Sequence, residues 1–151
     1  MDAHYYSVNI NWQHDRQGTM YSPEINEKAG MDVCIHVATP PPFQGGVPDI
    51  WSPEHLFTAA VSSCFMTTFL AIAENSKLEF ITFACKSNGK LEQVEGKFMM
   101  SEVIVEATIT IRDEKEREKA HRILLKSDAA CLISNSVKAK VQLVPVIVVI
   151  P

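Results

Sequence analysis

From His55 to Ala73 the chain contains no Asp, Glu, Lys or Arg, and Glu54 and Glu74 close the stretch at its two ends. Apolar and small residues fall on every face of a helical projection rather than on one stripe. A helix of this kind must be surrounded, either at the centre of its own domain or between two subunits. Its start is well marked. Ser52 can cap free amides, Pro53 fits the first helical position and Glu54 complements the positive end of the dipole, so a core helix is expected from here to about Asn75. No run reaches the roughly 18 unbroken apolar residues that a membrane-spanning helix requires, which points to a soluble protein.

The 151 residues suit one domain, residues 1–151, with a core that needs no disulfide staples. Met1 to Gln13 alternates in polarity and lacks the basic opening and apolar run of a secretory signal, so a cytoplasmic location is expected. In that compartment four cysteines read as catalytic, metal-binding or buried thiols rather than a disulfide framework. The net charge of −4, without a basic block, argues against nucleic acid or an anionic membrane surface as partner.

Around the core helix the pattern is mostly extended. Tyr5 to Trp12 alternates with period two, Gln13 to Gly18 reads as a turn, and further strands are expected at Thr19 to Tyr21 and Asp32 to Ala38. Three consecutive prolines and Gly45-Gly46 make Thr39 to Pro48 an irregular loop. Phe80 to Cys85, Lys90 to Val94 and Phe98 to Ile111 read as strands, with turns at Ser87-Asn88-Gly89 and Glu95-Gly96. Val103, Val105, Ala107, Ile109 and Ile111 share one face of the last of these. Asp113 to Lys126 is an amphipathic helix by the spacing of Ala120, Ile123 and Leu124. A shorter helical stretch is expected over Ala129 to Val137. Lys140 to Ile150 closes the chain as a strand in which Pro145 marks a bulge or an edge.

Cysteine is the strong nucleophile available. Cys64 sits inside the uncharged helix, in Val61-Ser62-Ser63-Cys64-Phe65-Met66, and Cys131 in Ala129-Ala130-Cys131-Leu132-Ile133-Ser134-Asn135. Local context alone also allows each to be a small buried hydrophobe. Cys34 and Cys85 lie in strand-like alternation and read as structural. His4, His14, His36, His55 and His121 are scattered, without HExxH spacing or a Cys-x-x-Cys knuckle, so neither a metal nor a cofactor is expected.

The stretch Ser52-Pro53-Glu54-His55-Leu56-Phe57-Thr58-Ala59-Ala60-Val61-Ser62-Ser63-Cys64-Phe65 resembles the first-cysteine helix of the OsmC/Ohr family of thiol peroxidases. Cys131-Leu132-Ile133-Ser134-Asn135 is similar to its second-cysteine motif, although Leu132 stands where proline is common. Arg16-Gln17-Gly18 matches the arginine turn of the hydroperoxide-reducing branch more weakly, because Gln13-His14-Asp15 precedes it in place of a glycine pair. The resemblance implies an α+β, OsmC-like fold, with antiparallel sheets packed around a long buried central helix, in an intertwined homodimer. It further implies an organic hydroperoxide as substrate and a dithiol reductant, a lipoylated protein, as electron donor. The alternative is an OsmC-like stress-response or binding protein with weak or no peroxidase activity.

In that reading Cys64 is the attacking thiolate and Cys131 traps its sulfenic acid as a disulfide. Arg16 would keep the sulfur ionised against the cost of burial, and Glu54 would hold the guanidinium by a two-pronged bond. Phe43, Phe57, Phe65 and Met66 could line a pocket for an alkyl hydroperoxide. Glu54 and Cys64 are ten positions apart, roughly 15 Å along a helix, so an arginine must reach across several turns or the two must come from different chains. The absence of a polar stripe favours the second, a site shared between subunits.

Overall fold

The structure is a computed structural model that describes residues 1–29 and 33–151. Its contacts group into two compact units, Met1–Leu56 and Phe57–Pro151. The division falls inside a helix rather than at a linker.

The first unit holds strands β1 (Asn9–His14), β2 (Gln17–Tyr21) and β3 (Ile35–Ala38) in an antiparallel sheet of order β1-β2-β3, and helix α1 (Pro23–Ala29). β1 starts at Asn9 rather than Tyr5 and is exposed along its length, so its alternation does not bury one face. The beginning of the expected third strand, Asp32, lies outside the described residues. α1 was not expected, yet Ser22-Pro23-Glu24 repeats the Ser-Pro-Glu start of the core helix, and Asn26 N–H donates to the Ser22 carbonyl at 3.0 Å. The proline-rich segment forms successive turns: Phe43 N–H donates to Pro40, Gly46 N–H to Phe43 and Val47 N–H to Thr39.

Helix α2 (Pro53–Asn75) starts as its sequence dictates. Ser52 Oγ accepts from His55 N–H at 3.2 Å while Ser52 N–H donates to His55 Nδ1 at 3.2 Å. This is a reciprocal cap in which histidine takes the place usually held by Glu or Gln.

The second unit contains β4 (Thr82–Val94), β5 (Lys97–Ile111), α3 (Arg117–Ala130) and β6 (Lys140–Val149), in a sheet of order β4-β5-β6. β4 and β5 form a hairpin closed by Glu95-Gly96, both at positive φ (51° and 78°), the geometry of a tight hairpin turn. β6 pairs parallel to β5, so this sheet is mixed and the expectation of antiparallel sheets is corrected. The reason is the connection: α3 crosses between β5 and β6, and such a crossover returns the chain in the same direction. Pro145 sits on β6, the edge strand, where a missing N–H is tolerated.

β4 runs unbroken through Ser87-Asn88-Gly89, where a turn was expected. Gly89 is needed there for clearance. A Cβ on it would lie 2.1 Å from Thr58 Oγ1 and 2.7 Å from Met100 Cε. The helical stretch expected over Ala129 to Val137 is split: Ala129 and Ala130 end α3, and Ser134–Ser136 form a single 3-10 turn.

The core of this unit joins Val61, Phe65, Phe69 and Ala73 of α2 to Val103, Val105, Ala107, Ile109 and Ile111 of β5 and to Ala120, Ile123 and Leu124 of α3. Phe69 contacts Phe80 edge-on at 5.3 Å between centroids and Phe83 at 5.0 Å, while Phe65 stacks on Phe83 at 6.3 Å. Such pairs add about 0.5–1.5 kcal/mol each beyond area burial.

Only one face of α2 is covered within the chain, so of the two expected surroundings, its own domain or a second subunit, its own chain supplies part. Ala60, Ser63, Met66, Thr67, Leu70 and Ala71 are exposed. By length and composition α2 is also apolar enough to cross a membrane, although it contains no unbroken apolar run of that length. Serines and threonines interrupt the run without adding charge, so the average stays high.

Gly89→Ala should destabilise the protein by about 1–3 kcal/mol, as overpacking typically does. Adding Thr58→Ala should recover part of the loss, and chemical denaturation of the single and double variants measures both.

Candidate active site

Cys64 lies one position before Phe65, at the margin of the buried stripe of α2, and is half-buried. Cys131 ends α3, with φ −64° and ψ 108°, and is fully buried. Although remote in sequence, the two thiols lie close enough within the second unit for each to shift the ionisation of the other, and both are free.

The segment after Cys131 explains why Asn135 follows it. Asn135 N–H donates to the Cys131 carbonyl at 3.0 Å, and its side-chain amide donates to the Ala129 carbonyl at 3.2 Å, capping the end of α3. Ser136 N–H donates to Ile133 at 2.9 Å, and Ser136 Oγ to Leu132 at 2.7 Å.

The two thiols are driven apart electrostatically. Burial by itself pushes Cys64 upward, but the Ile133 N–H, the Cys131 thiol, the Thr68 hydroxyl and the Leu132 N–H together bring it below its usual value. The Thr68 contact is a long one, 4.0 Å. Burial pushes Cys131 upward, and the Cys64 thiolate beside it adds to the shift, while Ser134 only partly offsets them. A half-exposed thiol that ionises more readily therefore lies beside a buried one that ionises less readily, the ordering that attack by one sulfur and resolution by the other requires.

Arg16 and Glu54 belong to the first unit. Arg16 follows Asp15 (φ 45°) in the β1–β2 turn, its carbonyl accepting from Thr39 N–H at 3.1 Å. Its side chain lies over Gly45, where a Cβ would come within 3.1 Å of Arg16 Cγ. It edges an apolar hollow of about 290 Å³ lined by Ile10, Trp12, Val37 and Pro53. Glu54 stands half-buried in the first turn of α2.

Residues 46–145 match the family model described as OsmC-like protein. The chain belongs to the OsmC-like family. Its sequence is 22% identical to the uncharacterised protein YmaD of Bacillus subtilis over 148 residues, 95% of this chain and 93% of that one. Among solved structures it resembles the OsmC-like protein VCA0330 of Vibrio cholerae, with a TM-score of 0.80 and 20% identity, covering 95% of this chain and 100% of that one. It also resembles an organic hydroperoxide resistance protein of Elizabethkingia anophelis, with a TM-score of 0.74, 20% identity and 99% of each chain covered. At these identities the structural likenesses establish the OsmC-like fold.

The OsmC-like frame places the remaining candidates. Phe65 is a core residue stacked on Phe83, not the lining of a pocket, and Phe57 packs against the same core; Met66 is exposed. Cys85 joins Ser62 and Ser87 in a polar triangle, and Cys34 is exposed rather than buried. No group of His, Cys, Asp and Glu that could hold a metal occurs among the described residues. Sequence reasoning missed Thr68 and the amides of Leu132 and Ile133. Thr68 lies one helical turn beyond Cys64 and could have been found by that spacing, whereas backbone donors leave no mark in residue type.

Alkylation followed by peptide mapping should find Cys64 modified faster than Cys131 near neutral pH, because the thiolate is the reacting form. The gap should close as pH rises and both become thiolates. Equal rates throughout in the folded protein would contradict the electrostatic ordering.

Proposed function

We propose that this OsmC-like protein is a cysteine peroxidase that reduces organic hydroperoxides to alcohols. The observation that carries the reading is the closeness of a Cys64 thiol held low to a buried Cys131 thiol held high. The Cys64 thiolate attacks the terminal peroxide oxygen: a sulfur–oxygen bond forms, the oxygen–oxygen bond breaks, and the alkoxide leaves and takes up a proton as the alcohol. Cys131 then attacks the Cys64 sulfenic acid. A disulfide forms, the sulfur–oxygen bond breaks, and the hydroxyl departs with the Cys131 proton as water. A dithiol donor, a lipoylated protein by family resemblance, returns both sulfurs to thiols and is itself oxidised to a disulfide. A reducing cytoplasmic setting fits this cycle.

Arg16 and Glu54 enter the reading through the family resemblance, as the cation that steadies the leaving alkoxide and the carboxylate that orients it. The apolar hollow beside Arg16 favours alkyl hydroperoxides over hydrogen peroxide. A homodimer belongs to the same reading, because the exposed face of α2 carries Ala60, Ser63, Met66, Thr67, Leu70 and Ala71 and no charge between Glu54 and Glu74. Two such faces would cover each other with small residues at close approach.

With dihydrolipoamide or dithiothreitol as donor, the protein should consume cumene or tert-butyl hydroperoxide faster than hydrogen peroxide. Cys64→Ser should fall to background, and one equivalent of peroxide should yield a Cys64–Cys131 disulfide by mass spectrometry. Unchanged turnover in Cys64→Ser would remove the reading. Heterodimers combining a Cys64→Ala chain with a Glu54→Ala chain should regain activity absent from either homodimer, and no recovery in verified heterodimers would count against a shared site.

A further inference from the structure

The charges on and around α3 are sorted along its length. From Arg112 to Lys119 four cationic side chains balance four acidic ones, and Arg117 closes on Glu114 and Lys119 on Glu116. From Ala120 to Lys138, by contrast, Arg122, Lys126 and Lys138, with His121 among them, stand against the single carboxylate of half-buried Asp128. All three cations are exposed, and none is in an ion pair among the described residues.

This uncompensated stretch is also bare of cover. Ala120, Ile123, Leu124 and Ser127 form the buried line of α3. By helical spacing Arg122, Leu125, Lys126 and Ala129 fall on the opposite side, and all four are exposed, Leu125 at 48%. The turn after the helix adds a second bare leucine. Asn135 Nδ2 donates to the Ala129 carbonyl at 3.2 Å and Ser136 Oγ to the Leu132 carbonyl at 2.7 Å, which holds Leu132, 65% exposed, beside the end of α3. Cys131 lies between these two leucines in the chain and is itself fully buried.

We propose that this surface docks the acidic face of a protein that donates the dithiol, so that the element carrying Cys131 also recruits its reductant. The proposal deepens the peroxidase reading and rests on it for the disulfide to be reduced. Charge selects the occupant. The chain as a whole carries −4, so a local excess of positive charge opposes the overall field and gives an acidic partner one place to approach. A second copy of the chain fits poorly, because a two-fold contact would set Arg122 and Lys126 against themselves. Leucines rimmed by charge are the makeup of a protein docking site. Docking matters for a shielded bond, since a held donor replaces a rare bimolecular encounter with a local one. The donor thiolate attacks one sulfur of the Cys64–Cys131 disulfide, which breaks as a mixed disulfide forms. The donor's second thiolate then attacks its own bound sulfur, and the two donor protons pass to Cys64 and Cys131.

Protein carrying the Cys64–Cys131 disulfide, formed with diamide rather than peroxide, tests the surface against three peptides. Each holds a Cys-x-x-Cys dithiol flanked by four glutamates, four glutamines or four lysines. The glutamate peptide should reduce the disulfide about tenfold faster than the glutamine peptide at low salt, within the range of electrostatic steering, and the gap should close at high salt. The lysine peptide should be no faster than the glutamine one, although net charge alone would favour it. Arg122→Glu combined with Lys126→Glu should abolish the glutamate advantage and leave reduction by uncharged dithiothreitol unchanged. Equal rates with all three peptides, an advantage that survives the double substitution, or slower reduction by dithiothreitol in that variant overturns the proposal and leaves the peroxidase reading standing. The expected order in a protein that consumes no peroxide supports the surface and defeats the reading. If diamide closes no such disulfide, the reading fails, and anisotropy of the fluorescein-labelled peptides decides the surface with the same order expected. Capture by phosphatidylglycerol vesicles that depends on Arg122 and Lys126, without preference among the peptides, assigns the patch to a membrane and overturns the proposal.

Discussion

The structure of the second unit depends on one packing constraint, the seating of Val61, Phe65, Phe69 and Ala73 on the buried face of the sheet. These residues recur every fourth position, which keeps one line of α2 against β5 and its neighbours. Cys64, adjacent to that line, is left at the margin of the core, where a sulfur is partly shielded but still reachable. Placing the thiol one position later would sink it in the core, as Phe65 is sunk. Seating the helix therefore sets the accessibility of the nucleophile as well as the stability of the unit.

α3 performs the complementary task. Ala120, Ile123, Leu124 and Ser127 hold it down, and its last turn delivers Cys131 to the other sulfur. The turn beyond is then fixed by Asn135, which joins the end of the helix to the start of the next turn. Asn135 is thus explained by geometry, since it anchors the segment.

The helix start, the buried face of β5, the edge position of β6 and the two cysteine motifs could all be read from the sequence, because each is set by local residue chemistry or by strict periodicity. The OsmC-like family could be recognised for the same reason. The parallel pairing of β6 was less accessible, since strand direction follows from the route of α3 and not from the composition of either strand. Ser87-Asn88-Gly89 has the chemistry of a turn, but the strand runs through it with Thr58 and Met100 packed around Gly89. Residue type in α2 could not distinguish a helix enclosed by its own chain from one covered on a single face. At the site, the proximity of Cys64 and Cys131 required the fold, and the amide donors could only be seen in coordinates.

A small polar triangle interrupts the otherwise apolar contact between α2 and β4. Ser62 Oγ donates to Cys85 Sγ at 3.4 Å, Ser87 Oγ donates to Ser62 Oγ at 3.0 Å, and Cys85 Sγ lies 3.5 Å from Ser87 Oγ. Grease alone tolerates sliding, since one methyl group resembles the next, whereas half-buried hydroxyls displaced by a helical turn would lose their partners. The triangle acts as a detent that fixes how far α2 can travel along β4. Cys64 is two residues from Ser62, so the same detent sets the position of the reactive sulfur.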